Sequence, residues 1–373
     1  MTKRYSLLLT TLFCAYIGGV LLVSILLPKQ EFSQLENRYL QKPPILSVKT
    51  LQNGQFMQQA EDYAADHIVG RDLWVSLKAW SERLSGKREN NGVYFAAQDT
   101  LIAHVPQPNL NTLLQHMQHV NALSANSAVP VYFGLIPSAA AIWRDRLPDG
   151  APTADELAII DQLYATSAAT TIDMAGALAA HSEQALYYRT DHHWTSLGAF
   201  YGANAILTAM NMDEIALHTD GKRTVTDQFY GTAFSSSGVR WIPPDSIDTY
   251  VSDAGISVTS YFGTTPTPGA LYVDSFLEQK DKYSYFLGGN QPLCVIETSL
   301  PSDAPRVLVI RDSYADALSP FLTQSFSQIH LFDLRYNLNS VKDYVAQNDV
   351  DAVIVLYSFA NFTEGTNLSF LAR

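Results

Sequence analysis

Val307-Leu308-Val309-Ile310-Arg311-Asp312-Ser313-Tyr314 decides the fold class of this chain. An apolar, largely β-branched run passes directly into a charged turn and a serine. That is the pattern of a buried strand ending in a tight turn that opens a helix. Working outward, similar short β-branched or aromatic runs occur at 129–136, 170–174, 186–188, 329–334 and 353–357. Helical spacing fits between several of them, at 110–125, 154–167, 195–210, 314–324 and 341–348. Such alternation predicts an α/β fold with a mostly parallel sheet covered on both sides. Residues 213–290, rich in Ser, Thr, Gly, Pro and Tyr, break the rhythm and read as a β-rich insertion at the edge of the site.

In open parallel sheets, functional side chains gather beyond the C-terminal strand ends. Ser313 is one such residue, and Thr190-Asp191-His192-His193-Trp194-Thr195 supplies others. A carboxylate and an imidazole two residues apart are two thirds of a hydrolytic triad, and Ser313 at a helix N-terminus offers the third. The pairing requires the 190–195 segment to turn, and the residues alone leave His192 and His193 both open as the base. Ser313 and Asp312 also have plainer readings as helix caps, and without the His motif capping would be the preferred account of Ser313. Arg311 and Arg335, at strand ends, are candidates to hold a substrate carboxylate, phosphate or sugar hydroxyl, with surface ion pairing as the alternative. Tyr357 and Asn361 are candidates to line an oxyanion site, although a tyrosine ending a strand is usually core. Trp194, Trp143 and Trp241 are candidates to stack on sugar rings, and burial is the simpler reading of Trp194 because a helix follows it. Asp191 with the two histidines could also ligate zinc. No His-x-x-x-His or cysteine pair accompanies them, so a triad is favoured and neither metal nor cofactor is expected.

Lys3 and Arg4 precede Ser6 to Leu27, a stretch without a charge and long enough to span a bilayer. The positive residues before it place the short N-terminus in the cytoplasm and the remainder outside. No small-x-small cleavage site precedes Pro28, so an uncleaved signal anchor is expected. Cys14 falls within this segment and Cys294 is the only other thiol, which excludes an intrachain disulfide in the outer domain. Stability must therefore come from an apolar core, for which 47% hydrophobic residues are ample. A net charge of −12, with 36 acidic against 24 basic residues, makes nucleic acid a poor partner. The expected organisation is a cytoplasmic tip and anchor over 1–27, an extended stalk over 28–50, a helical prelude over 51–90 and a catalytic domain over 91–373.

Asp-His-His-Trp at 191–194, Phe32-Ser33-Gln34-Leu35-Glu36-Asn37-Arg38-Tyr39-Leu40, Asp281-Lys282-Tyr283-Ser284-Tyr285-Phe286 and Asp333-Leu334-Arg335-Tyr336 together resemble the DHHW protein family. That family is similar to the SGNH-hydrolase-like domains of periplasmic alginate acetyltransferases. The resemblance runs from about Phe32 to the C-terminus and implies an SGNH-like three-layer domain, active outside the cytoplasm as a serine esterase or O-acetyltransferase on a surface polysaccharide. It also implies a multispanning membrane O-acyltransferase as the partner that delivers acetyl groups. The family's acid-x-base pattern selects Asp191 and His193, leaving His192 as a neighbour. Ordinary SGNH hydrolases place the serine first and separate acid from base by two residues. The order acid, base, serine found here is similar to the alginate acetyltransferase variant.

Overall fold

A computed structural model describes residues 3–365 and 367–372. The chain divides into two compact units, one of Met1–Asn91 with Phe234–Trp241, the other of Gly92–Ala233 with Ile242–Arg373.

The first unit begins with a helix over Lys3–Leu26, long and apolar enough to cross a membrane and with none of its residues buried. The 28–50 stretch is not the extended stalk its composition suggests. Phe32–Ser33 and Arg38–Tyr39 form a small antiparallel hairpin. Arg38 Nη1 donates to Asp66 Oδ2 at 2.9 Å, and Arg71 pairs with Glu36 at 2.5 Å. These partners lie tens of residues away, where local composition cannot point to them. The helical run over 51–84 is divided into Val48–Gln52, Gln55–His67 and Arg71–Leu84. The breaks fall at Gly54 and Gly70, whose φ of 76° and 69° an L side chain rarely adopts.

The second unit is mixed α/β. We label its sheet strands β1 (Val131–Ile136), β2 (Thr170–Ile172), β3 (Ser257–Phe262), β4 (Thr265–Gly269), β5 (Leu293–Glu297), β6 (Arg306–Arg311), β7 (Gln328–Phe332) and β8 (Ala352–Ser358). They form one eight-stranded sheet in the order β4-β3-β5-β7-β6-β8-β1-β2. From β7 to β2 every pairing is parallel, whereas β5, β3 and β4 continue the sheet antiparallel from β7. The parallel part is therefore joined to an antiparallel wing, and two of the wing's strands come from 213–290. β8 is buried along its whole length and β6 at every position after Arg306, as expected for central parallel strands covered on both faces.

The helices Leu110–Asn126, Glu156–Tyr164, Ser196–Ala209, Tyr314–Leu322 and Val341–Gln347 fall within a few residues of their expected positions. The expected strand at 186–188 does not form. Tyr187 makes a single antiparallel bridge to Trp194, so the intervening residues are a closed loop.

Candidate active site

That loop sets the geometry of Asp191 and His193. Its ends are clamped by Tyr188 N–H donating to His193 O at 3.2 Å and Thr195 N–H donating to Leu186 O at 2.8 Å. Asp245 braces it by accepting Thr190 N–H at 2.8 Å and Thr190 Oγ1 at 2.6 Å. Inside the loop Asp191 Oδ1 accepts the backbone N–H of His193 at 3.0 Å, an aspartate turn closing on its own backbone. The same oxygen meets His193 Nδ1 at 2.6 Å. Asp191 Oδ2 accepts Thr232 N–H at 2.7 Å and Thr232 Oγ1 at 3.0 Å. Burial by itself would raise the Asp191 carboxyl. The charges of His192 and His193, with hydrogen bonds from His193 and Thr232, outweigh it and hold the group well below the usual carboxylate range.

The serine arrives from the other side. β6 ends at Arg311, and Asp312 then pins the turn. Its Oδ1 accepts Tyr314 N–H at 3.0 Å. Its Oδ2 accepts Ser358 N–H at 2.8 Å, Ser358 Oγ at 2.7 Å and Asn361 Nδ2 at 2.8 Å, which ties the turn to the end of β8. Ser313 takes helical dihedrals and its hydroxyl does not cap the helix Tyr314–Leu322. Instead Ser313 Oγ lies 2.7 Å from His193 Nε2. Asp191, His193 and Ser313 are thus joined by consecutive hydrogen bonds and are 3%, 6% and 8% exposed. All three side chains are buried.

Two contacts on this array carried no signal as site residues in the sequence. The Tyr283 ring stacks on His193 at 3.8 Å between centroids and 10° between planes, and its hydroxyl donates to Ser313 O at 3.0 Å. Burial pushes the Tyr283 phenol well up, so it remains a donor. Thr232 is the second, and no local pattern marks it. Tyr283 lies in a segment that carried the family resemblance, but nothing there assigned it a role.

The other candidates are distributed differently. Arg311 is wholly buried: Nη1 donates to Asn290 Oδ1 at 2.9 Å and pairs with Asp316 at 2.8 Å, while Nε and Nη2 have no hydrogen-bond partner among the described residues. Burial rules out the alternative reading of Arg311 as a surface ion pair. Trp194 is also wholly buried, with Nε1 donating to Tyr314 O at 2.9 Å, which ties the loop to the serine's helix. Trp143 is buried too. His192 keeps 41% of its side chain exposed, bonds Thr232 Oγ1 through Nδ1 at 2.7 Å and does not meet Ser313. Arg335 forks onto Asp333, with Nε to Oδ1 at 2.9 Å and Nη2 to Oδ2 at 2.6 Å. It lines a cleft of about 240 Å³ together with Tyr357, Asn361, Glu364 and Leu368. Asn361 connects that cleft to Asp312 and hence to the serine turn.

Asp191, His192 and His193 also offer three ligand atoms within 4.8 Å of one another, the spacing a metal would need. Both ring nitrogens of His193 are already engaged, one by Asp191 and one by Ser313. A metal there would have to break the hydrogen bonds that join the array.

A family model described as DHHW protein matches residues 131–332. Among solved structures, a DHHW family protein from Eubacterium siraeum superposes with a TM-score of 0.67 at 23% identity, covering 76% of this chain and 95% of that one. PatB1 of Bacillus cereus, solved with a sulfonyl adduct, superposes at 0.59 and 23% identity, covering 74% and 97%. More remote is the O-acetyltransferase domain of Pseudomonas putida AlgJ, at 0.44 and 14% identity, covering 74% and 94%. No curated protein matches by sequence.

Proposed function

Because this chain belongs to the DHHW protein family and its acid, imidazole and hydroxyl stand in one hydrogen-bonded line, we propose that it is a serine O-acetyltransferase or acetylesterase acting on a cell-surface or exported polysaccharide. The observation that carries the proposal is the 2.7 Å approach of His193 Nε2 to a serine hydroxyl that does not cap its helix. In this reading the domain is SGNH-like, held outside the cytoplasm by the Lys3–Leu26 helix, and a multispanning membrane O-acyltransferase supplies its acetyl groups.

The chemistry follows from the geometry. Ser313 Oγ attacks the carbonyl carbon of an acetyl ester while its proton passes to His193 Nε2. Asp191 accepts Nδ1–H, fixes the tautomer and stabilises the imidazolium. Tyr283 keeps the ring in plane. The first turn of the helix after Ser313 presents its positive end to the forming oxyanion. On collapse, the donor oxygen leaves with the proton from His193 and Ser313 carries the acetyl group. A sugar hydroxyl, or water, then attacks the acyl carbon as its proton passes to His193, and the Ser313 Oγ–acyl bond breaks with that proton returned to Oγ, leaving the acetyl group on the acceptor. The cleft beside Arg335, Tyr357 and Asn361 is the proposed approach for the acceptor.

The test uses the purified full-length chain and an activated acetyl ester. Acetate release is expected, and Ser313→Ala or His193→Ala should each lower it by on the order of 10⁴-fold or more, because triad members act as a unit. His192→Ala should cost far less. A sulfonyl fluoride should leave a mass-detectable adduct on Ser313. Full turnover in Ser313→Ala would refute the nucleophile. Absence of both turnover and adduct in the wild type would favour a non-catalytic glycan-binding or assembly component.

A further inference from the structure

The helix Arg71–Leu84 in the first unit is amphipathic in the wrong sense for a soluble protein. A surface helix ordinarily turns its large apolar residues to the core. Here Ala79 is fully buried and Val75 half-buried, while Leu73, Leu77 and Leu84 are 69%, 53% and 80% exposed. Trp74 is exposed as well, and Trp80 is partly exposed with one side of its ring packed on Trp241. Nearby in sequence Ile45, Leu46, Val48 and Leu51 are exposed as well. Isolated exposed leucines need no explanation, but a spaced row along one helix does.

Two further observations identify what covers this face. The helix starts at the end of the membrane-length segment: Val69 N–H donates to Ser24 Oγ at 2.9 Å, and the Trp74 indole N–H donates to Val69 O at 3.1 Å. Ser24 lies in the last turn of Lys3–Leu26. Charge is the second. Residues 71–88 hold five basic and two acidic residues in a chain whose net charge is −12, and of the five Arg71 is committed to Glu36 and Asp66. Tryptophan and basic side chains beside an apolar stripe match the boundary between lipid headgroups and acyl chains.

We infer that the Arg71–Leu84 helix lies on the outer surface of the same membrane that Lys3–Leu26 crosses, its leucines and tryptophans in the boundary region and its basic residues toward anionic headgroups. The inference rests on the membrane-spanning reading of Lys3–Leu26. The full-length chain would thus be held to the bilayer at two places, which limits how freely the unit can tilt about its anchor.

Spin labels report this directly. The full-length chain is placed in vesicles of phosphatidylethanolamine and phosphatidylglycerol with one label per sample: at Leu77→Cys or Asp72→Cys in a Cys14→Ser/Cys294→Ser background, or at native Cys14 in Cys294→Ser. Collision with oxygen, which concentrates in lipid, is compared with collision with a water-soluble nickel complex. The label at 77 is expected to favour oxygen, as at Cys14, and the label at 72 to favour nickel. A label at 77 as nickel-accessible as that at 72, with Cys14 still in lipid, overturns the surface helix but leaves the span intact. A label at 77 shielded from both agents overturns it in favour of a protein occupant, such as a second copy of the chain. If Cys14 itself favours nickel, the membrane-spanning reading fails, and the surface helix with it.

Discussion

Gly231 tests whether the placement of the acid governs the chemistry. A Cβ built on Gly231 would stand 2.2 Å from both Cβ and Oδ2 of Asp191. Ordinary contact begins near 3.4 Å, so Gly231→Ala must displace the aspartate or its own backbone by more than an ångström. Yielding is difficult, because Asp191 is held by His193 at 2.6 Å and by Thr232 N–H at 2.7 Å. Misplacement on this scale costs on the order of 10²-fold in rate, about 2.7 kcal/mol of barrier. Loss of the acid's function altogether costs on the order of 10⁴-fold, which sets the upper bound. The assay is turnover of an activated acetyl ester, with thermal unfolding measured on the same samples. Gly231→Ala should fall between those limits. In an Asp191→Gly background, where the obstructing side chain is gone, the same substitution should cost little more in either rate or stability, because the two changes act on one contact. Wild-type turnover in Gly231→Ala, or full additivity in the double variant, would refute the idea that Asp191 acts by holding His193.

Chelator treatment should leave ester turnover unchanged, since His193 is committed to Asp191 and Ser313. Loss on stripping with recovery on zinc addition would instead support a metal-dependent deacetylase built on Asp191, His192 and His193. Glu156 is 1% exposed, and burial raises its carboxyl above the ordinary glutamate value despite hydrogen bonds from Ser138. The folded state therefore binds its proton more tightly than the unfolded state, so stability is fullest below the usual glutamate range and declines as pH rises through the raised value. Glu156→Gln should flatten that decline in thermal melts recorded between mildly acidic and alkaline pH, and an unchanged slope would exclude Glu156 as its source. Protease added to spheroplasts should digest the large domain while the chain stays in the membrane fraction. Protection of the domain, or a soluble form beginning near Pro28, would contradict an uncleaved anchor.

What could be read from the sequence follows the reach of each contact. β6 and β8 were legible because a strand buried on both faces is continuously apolar, and the helices between them because their spacing is internal. The antiparallel wing was not separable strand by strand. β4 is wholly exposed, and Pro266 and Pro268 lie within it, a composition tolerated only at a sheet edge and indistinguishable from a loop in isolation. The 186–188 run misled because its aromatic residues serve the core. Tyr187 is buried and donates to Pro137 O at 2.7 Å rather than pairing along a ladder.

The same distinction divides the site. Asp191 and His193 are visible because two residues of chain suffice to join them, and Ser313 because a strand-turn-helix pattern brings it forward. Thr232 and Tyr283 act across 41 and 30 residues, on Asp191 and on the Ser313 carbonyl, so nothing local distinguishes them from other residues of a polar, tyrosine-rich stretch. Arg311 shows the converse error. A strand-end arginine reads as reachable, yet this one is buried beside Asn290, Asp316 and Asp333, which come from three parts of the chain. A charge can be buried only where such partners converge, and convergence is a property of the fold. Residues that would perform the chemistry can thus be local in sequence, while those that fix its angles come from elsewhere. Gly231 belongs to the second group, which is why its substitution discriminates between a serine merely near a histidine and one held in line with it.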